Sequence, residues 1–106
     1  MPAVPRLDEQ DVRRLVAREF PDDARRAASI LGRYGELLEQ IAAPRVHAAA
    51  LFLAGGNLDE LERWVNVARQ DFRDVLMNAE YPNHDEGPEH RESDARAYTE
   101  WLERTD

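Results

Sequence analysis

Two short stretches of the chain hold enough polar chemistry to be weighed as sites. The first contains Arg69, Asp71, Arg73 and Asp74, with Glu80 and Tyr81 close behind. On a helix, Arg69 and Arg73 share one face and Asp71 and Asp74 share another. Paired carboxylates do acid–base work only when their surroundings split their pKa values. No nucleophile, Gly-rich phosphate cradle or third polar group stands at a recognisable spacing beside them. The expectation is a solvated, ion-paired helix face, in which Asp71, flanking Phe72, caps a helix or pairs with an Arg. The second stretch is His84, Asp85, Glu86 and His90. Imidazole and carboxylate are ligands for zinc or nickel. Their spacing here matches no metal motif, and no helix presents both His on one face, so a flexible polar linker is expected and no metal or other cofactor is implied. His47 stands alone and reads as a packed or surface histidine.

A third cluster is cationic. All 14 basic residues are Arg, a side chain that offers planar forks to carboxylate and phosphate. Arg13, Arg14, Arg18, Arg25, Arg26 and Arg33 crowd the first part of the chain and would suit phosphate contacts of the helix-turn-helix kind. Asp8, Glu9, Asp11, Glu19, Asp22 and Asp23 lie among them, so no net basic stripe survives. The whole chain carries −8, with most of the excess in residues 82–106, which hold eight acids and three Arg. Such a chain is repelled by nucleic acid and by anionic membrane. No run approaches the roughly 18 apolar residues of a membrane span. Cysteine is absent, which removes disulfides and thiolate chemistry and fits a reducing, cytoplasmic setting.

The elements that must position these groups are helical. The 106 residues suffice for one domain, which buries roughly two-thirds of its unfolded surface. Asp8 can cap a first helix whose apolar stripe is Val12, Leu15, Val16 and Phe20. Asp22-Asp23 opens a second, with Ala24, Ala27, Ala28, Leu31 and Tyr34 on one face and Ile30 beside it. Residues 36–43 read as a further turn or two of helix, or as a connection. Pro44 suits the start of another helix, with Val46, Ala49, Ala50 and Leu53 inward and Leu51 and Phe52 widening that face, and Gly55-Gly56 stops it. Asn57 and Glu60 then form a variant capping box. Leu61, Val65, Ala68, Phe72, Val75 and Ala79 repeat by fours and threes up to Tyr81-Pro82, the pattern of one long helix with a heptad seam. Ser93-Asp94 can cap a last short helix carrying Ala95, Tyr98, Trp101 and Leu102. No period-two alternation marks a strand.

The string LAGGNLDELERWVNVARQDFRDVLMNAEYP at residues 53–82 resembles a group of small bacterial proteins. These share a Gly-Gly helix stop, a capped long helix and a D-[FY]-R-D-V-L…AEYP ending. The likeness reaches back weakly to the first helix and does not extend to residues 83–106. It implies a helical fold and a bacterial, cytoplasmic origin, and it transfers no activity and no site residue.

The resulting expectation is an all-α bundle of four to five helices over residues 1–82, with the long heptad helix as its spine. An acidic His- and Pro-containing linker follows over 83–92, then a short C-terminal helix or arm over 93–106, whose removal leaves the core folded. The leading functional expectation is a non-enzymatic protein-interaction or regulatory module. It meets a protein partner or a second copy of itself, as a homodimer, through Trp64, Tyr81, Tyr98 and Trp101. The alternative is a small-ligand binder or enzyme with its site between helices, which an apolar pocket with converging polar groups would favour. Nucleic-acid binding ranks third. Phe72→Ala is expected to cost roughly 3–5 kcal/mol as a core truncation. The chain is expected to pass through a heparin column at low salt. Retention that collapses as salt rises would instead restore the nucleic-acid reading.

Overall fold

The first helix begins with a reciprocal pair of side-chain bonds. Asp8 accepts from the Asp11 N–H at 2.9 Å, and Asp11 accepts from the Asp8 N–H at 3.0 Å. Two of the helix's orphan donors are satisfied this way. In the computed structural model, which describes residues 7–35, 42–83 and 90–104, six helices follow one another. They are α1 (Glu9–Glu19), α2 (Ala24–Leu31), α3 (Ala43–Ala54), α4 (Leu58–Gln70), α5 (Phe72–Glu80) and α6 (Arg91–Glu103), with no strand among the described residues. None of these helices is long and apolar enough to cross a membrane. Most of residues 36–43, read as a helical turn or connection, lie outside the described residues.

Val12, Leu15, Val16 and Phe20 are buried, as the stripe on the first helix requires. On α2 the inward residues are Ala27, Ile30 and Leu31, joined by Tyr34 after the helix, while Ala24 is half-buried and Ala28 exposed. The centre of the bundle is α3, not the 57–80 segment. Val46, Ala48, Ala49, Ala50, Leu51 and Ala54 are all buried, and α3 packs against α1, α4, α5 and α6. A helix buried on several sides needs small side chains where neighbours approach, and the alanines supply them. Leu53, expected inward, is half-buried, as is Phe52, while Leu51, expected to widen that face, is fully buried. Gly55 ends α3 at φ 57° and Gly56 follows at φ 81°, left-handed values that glycine adopts without penalty.

The single rod expected between Asn57 and Tyr81 is two helices. Asn57 does cap the first, accepting from the Glu60 N–H at 3.0 Å. At Asp71 the backbone turns extended, with φ −157° and ψ 102°. Asp71 closes α4 through its N–H to the Val67 carbonyl at 2.8 Å. It opens α5 by accepting from the Arg73 N–H at 3.0 Å, and the Arg73 guanidinium forks onto the same carboxylate at 2.9 Å and 2.9 Å. These bonds hold the Asp71 carboxyl below its usual range. Aspartate competes for backbone donors inside a helix and favours a cap. The heptad pattern set which side chains face inward, and Leu61, Val65, Ala68, Val75 and Ala79 are all buried. It did not require one continuous helix. Phe72, at the first position of α5, is only half-buried, so truncating it costs less than the core range stated above.

The last helix starts earlier than Ser93-Asp94 suggests. His90 is its N-cap position, with no side-chain cap bond. Asp94 is buried instead and accepts from the Asn83 N–H at 3.1 Å and from Asn83 Nδ2 at 2.7 Å. That pair fixes the two ends of the expected linker against each other. Residues 84–89, with His84, Asp85 and Glu86, lie outside the described residues. The helix itself is built into the core. Tyr98, Trp101 and Leu102 join the main apolar cluster, and Phe52 of α3 meets the Tyr98 and Trp101 rings edge-on at 5.0 Å and 5.1 Å. Arg14 donates to the Leu102 carbonyl at 2.8 Å. Arg18 donates to the carbonyls of Trp101 and Arg104, both at 2.7 Å, and lies 4.6 Å over the Trp101 ring. Helix C-terminal carbonyls lack intrahelical donors and favour cations; α1 supplies both.

Leu61→Ala, which empties a fully buried position, is expected to lower stability by about 2–5 kcal/mol. Asp71→Ala, which removes a cap and a largely exposed pair with Arg73, is expected to cost about 1 kcal/mol. Urea titrations followed by helical circular dichroism check both. Equal losses would show that Asp71 holds more than the start of α5.

Candidate functional site

The best-formed recess lies where α1, α2 and the start of α3 meet. Its walls are apolar: Val12 and Val16 from α1, Ala24, Ala28 and Leu31 from α2, and Pro44 at the entry of α3. Short side chains on α2 leave room that Leu at the same positions would fill. The volume is about 540 Å³, within the usual range for small-molecule pockets. Gly35, at φ 109°, lets the chain leaving α2 come against α3, since a Cβ built there would stand 2.9 Å from the Ala43 Cβ. Ala42 caps α3 from the left-handed region at φ 55° and ψ 39°, the one non-glycine residue with positive φ among those described. Strain of this kind gathers where geometry serves a site.

Four polar side chains border the recess: Glu9, Arg13, Arg25 and His47. Glu9 and Arg13 form a loose pair at 3.8 Å, with both side chains more than three-quarters exposed. His47 turns inward. Its Nε2 lies 2.8 Å from the Tyr34 carbonyl, which can only accept, so Nε2 carries the proton. The imidazole also meets the Tyr34 ring edge-on at 6.2 Å. Burial pushes the His47 pKa down, against smaller upward pulls from the Tyr34 and Leu31 backbone and from Glu9. A neutral imidazole with Nδ1 unprotonated is the form this wall presents near pH 7.

A second polar cluster is structural. Arg45 of α3 forks onto Glu80 at the end of α5, at 2.8 Å and 2.6 Å. Glu80 is 1% exposed, while the Arg45 side chain keeps 46% of its surface. Hydrogen bonding to Glu80 holds the Arg45 pKa up. Tyr98 lies close enough to feel both charges. Its hydroxyl is buried without a hydrogen-bond partner among the described residues, and burial raises its pKa. The pair ties α3 to α5 beneath α6.

The structure distributes the four aromatic residues singled out in the sequence. Tyr98 and Trp101 come together inside the core, stacked at 6.0 Å. Trp64 lies half-buried on α4, with the Arg63 guanidinium 5.0 Å over its ring. Tyr81 is the half-buried C-cap of α5. Asp71 and Arg73 pair with each other, and the Asp74 carbonyl accepts from Asn78. His90 begins α6, and among the described residues no three His, Asp or Glu gather as metal ligands would. Sequence reasoning missed the recess, the Arg45–Glu80 pair and the use of Arg14 and Arg18. The pair joins residues 35 apart in the chain, and its one local signal is an Arg and a Glu placed among inward-facing apolar residues.

Comparison with family models, with curated proteins and with solved structures finds no match. The recess must therefore be read from its own chemistry.

Two measurements follow. In the folded chain His47 resists protonation, whereas in the unfolded chain it titrates near its ordinary value of 6.5. The unfolded state then binds more protons, so stability falls as pH drops below about 6.5. His47→Gln is expected to flatten the dependence of the thermal midpoint on pH between about 7 and 5; an unchanged slope removes His47 as its source. Arg45→Met leaves a buried carboxylate unpaired and is expected to cost about 1–3 kcal/mol. The double variant with Glu80→Gln should recover part of that loss in urea denaturation.

Proposed function

We propose that this chain is a small-ligand-binding module whose ligand lays an apolar body in the recess between α1, α2 and α3. The observation that carries the reading is the recess: apolar walls, a ligand-sized volume and four polar groups at its border. This is the combination by which small-molecule sites are recognised. The chain acts in this reading by binding rather than by turnover, and reports or carries its ligand. A cysteine-free sequence suits a reducing compartment such as the cytoplasm, and the resemblance at residues 53–82 supports a bacterial one.

The protein-interaction reading has weaker support. Among the described residues Met77, at 41%, is the only large hydrophobic side chain that lies exposed, where a docking face for a protein calls for a contiguous apolar patch. One observation keeps self-association in view: Trp64 is half-buried on α4, outside the buried seam of Leu61, Val65 and Ala68. Sedimentation of the wild type and Trp64→Ala separates the two. A monomer in both cases removes the homodimer.

For the recess, the probe is 1-octanol in titration calorimetry. Saturable binding is expected in the wild type and is expected to be lost in Ala28→Phe, which fills the recess from an exposed position on α2. An unchanged melting temperature would show the variant folded. Absence of saturable binding for both 1-octanol and n-octanoate overturns the reading.

A further inference from the structure

Resting on the binding role of the recess, we propose that its ligand is an amphipathic monoanion: an apolar body with one carboxylate head, held by Arg25 and Arg13. The chain as a whole carries −8, yet among the described residues the charged groups lining this recess are two Arg and one Glu. Glu9 and Arg13 offset each other in a loose pair at 3.8 Å. Among the described residues Arg25 makes no ion pair. It is exposed at the second position of α2 and also borders a shallow polar depression with Asp22, Asp23 and Arg26. His47 adds no charge near pH 7, because burial disfavours its protonated form. The described border is therefore cationic by one unit in an acidic protein, and its cations stand on two adjacent helices that line the same apolar floor.

The shape of the side chains matches that ligand. Arginine lays its methylenes along apolar surface and keeps its guanidinium in water, so a ligand can sink its tail between Val12, Val16 and Leu31 while its head stays at the mouth. A planar guanidinium takes a carboxylate through two parallel hydrogen bonds. A neutral alcohol of the same length gains the floor and forfeits the fork. A cationic amphiphile meets Arg25 and Arg13 as like charges.

The experiment compares n-octanoate, 1-octanol and n-octylammonium by titration calorimetry on the full chain at pH 7.5, in low and in high salt. The expected order is octanoate first, by roughly tenfold over octanol, as a charge-assisted bond at a wet border allows, and octylammonium last. The octanoate preference is expected to shrink at high salt. In Arg25→Gln octanoate should fall to the level of octanol while octanol itself is unchanged. Octanol binding as tightly as octanoate overturns the head-group assignment and leaves the recess as a neutral-ligand site. A preference that survives both Arg25→Gln and Arg13→Gln also overturns it. Failure of all three probes to bind overturns the binding role itself, together with this inference.

Discussion

The bundle depends on α3 being able to lie inside it. A helix that touches four others has little water-facing surface left, and large side chains all round would hold its neighbours too far apart to close a small domain. Ala48, Ala49, Ala50 and Ala54 shorten those distances, while Val46 and Leu51 fill the spaces between neighbours. The Gly55-Gly56 exit lets the chain fold straight back into α4. The consequences run outward from there. The α4–α5 break at Asp71 leaves two short helices, both packed against α3. Phe52, half-buried on α3, gives α6 its aromatic seat. The recess opens at the other end of the same helix, where Ala43 and Pro44 begin it and α2 presents alanines.

How much of this was legible follows the physics of each element. Helix type and inward faces are written in apolar spacing, which is local: the stripe of α1, the stop at Gly55-Gly56 and the inward residues between Leu61 and Ala79, the half-buried Phe72 excepted, agree with the structure. Continuity was not legible in the same way. A heptad repeat constrains which residues face inward, and a two-helix segment with a tight break can preserve that facing. The clue against a single rod was Asp71 immediately before Phe72, a capping residue at an interior position. Ser93-Asp94 misled in the opposite sense. Both residues have capping chemistry, but Asp94 is used across the chain by Asn83, a tertiary bond that no local pattern announces. The choice of α3 as the centre was hidden for a related reason. A helix apolar on several sides shows a weak periodicity, and alanine reads as filler until its neighbours are known.

The recess was the least legible part, because an absence of side-chain volume carries no motif. Its residues are drawn from three helices and lie between positions 9 and 47. Most are small or aliphatic, and each taken alone reads as core. Only the polar members stood out. Arg13 and Arg25 were noticed as part of a basic cluster, and His47 as a lone imidazole. The cluster made no sense as a nucleic-acid face, since acids are interleaved with it. In three dimensions it separates into groups with different work.

That separation bears on what the border of the recess can do. Arginine is this chain's only cation, so the same side chain must serve as strut and as contact. Arg14 and Arg18 close the carbonyl end of α6. Arg33 ties the exit of α2 to Glu62 on α4 at 2.9 Å, and Arg45 neutralises buried Glu80. Arg14, Arg18 and Arg45 each meet an acceptor that the fold would otherwise leave short of a donor, whereas Arg33 and Glu62 pair at the surface. Arg25 has no such acceptor within the described chain. It sits over an apolar floor instead, next to a loosely held Arg13. A guanidinium without an acceptor costs nothing in water, so its position alone argues little. In conjunction, an unpaired fork and an open apolar floor are the two halves of an amphiphile's complement, and here they share one border.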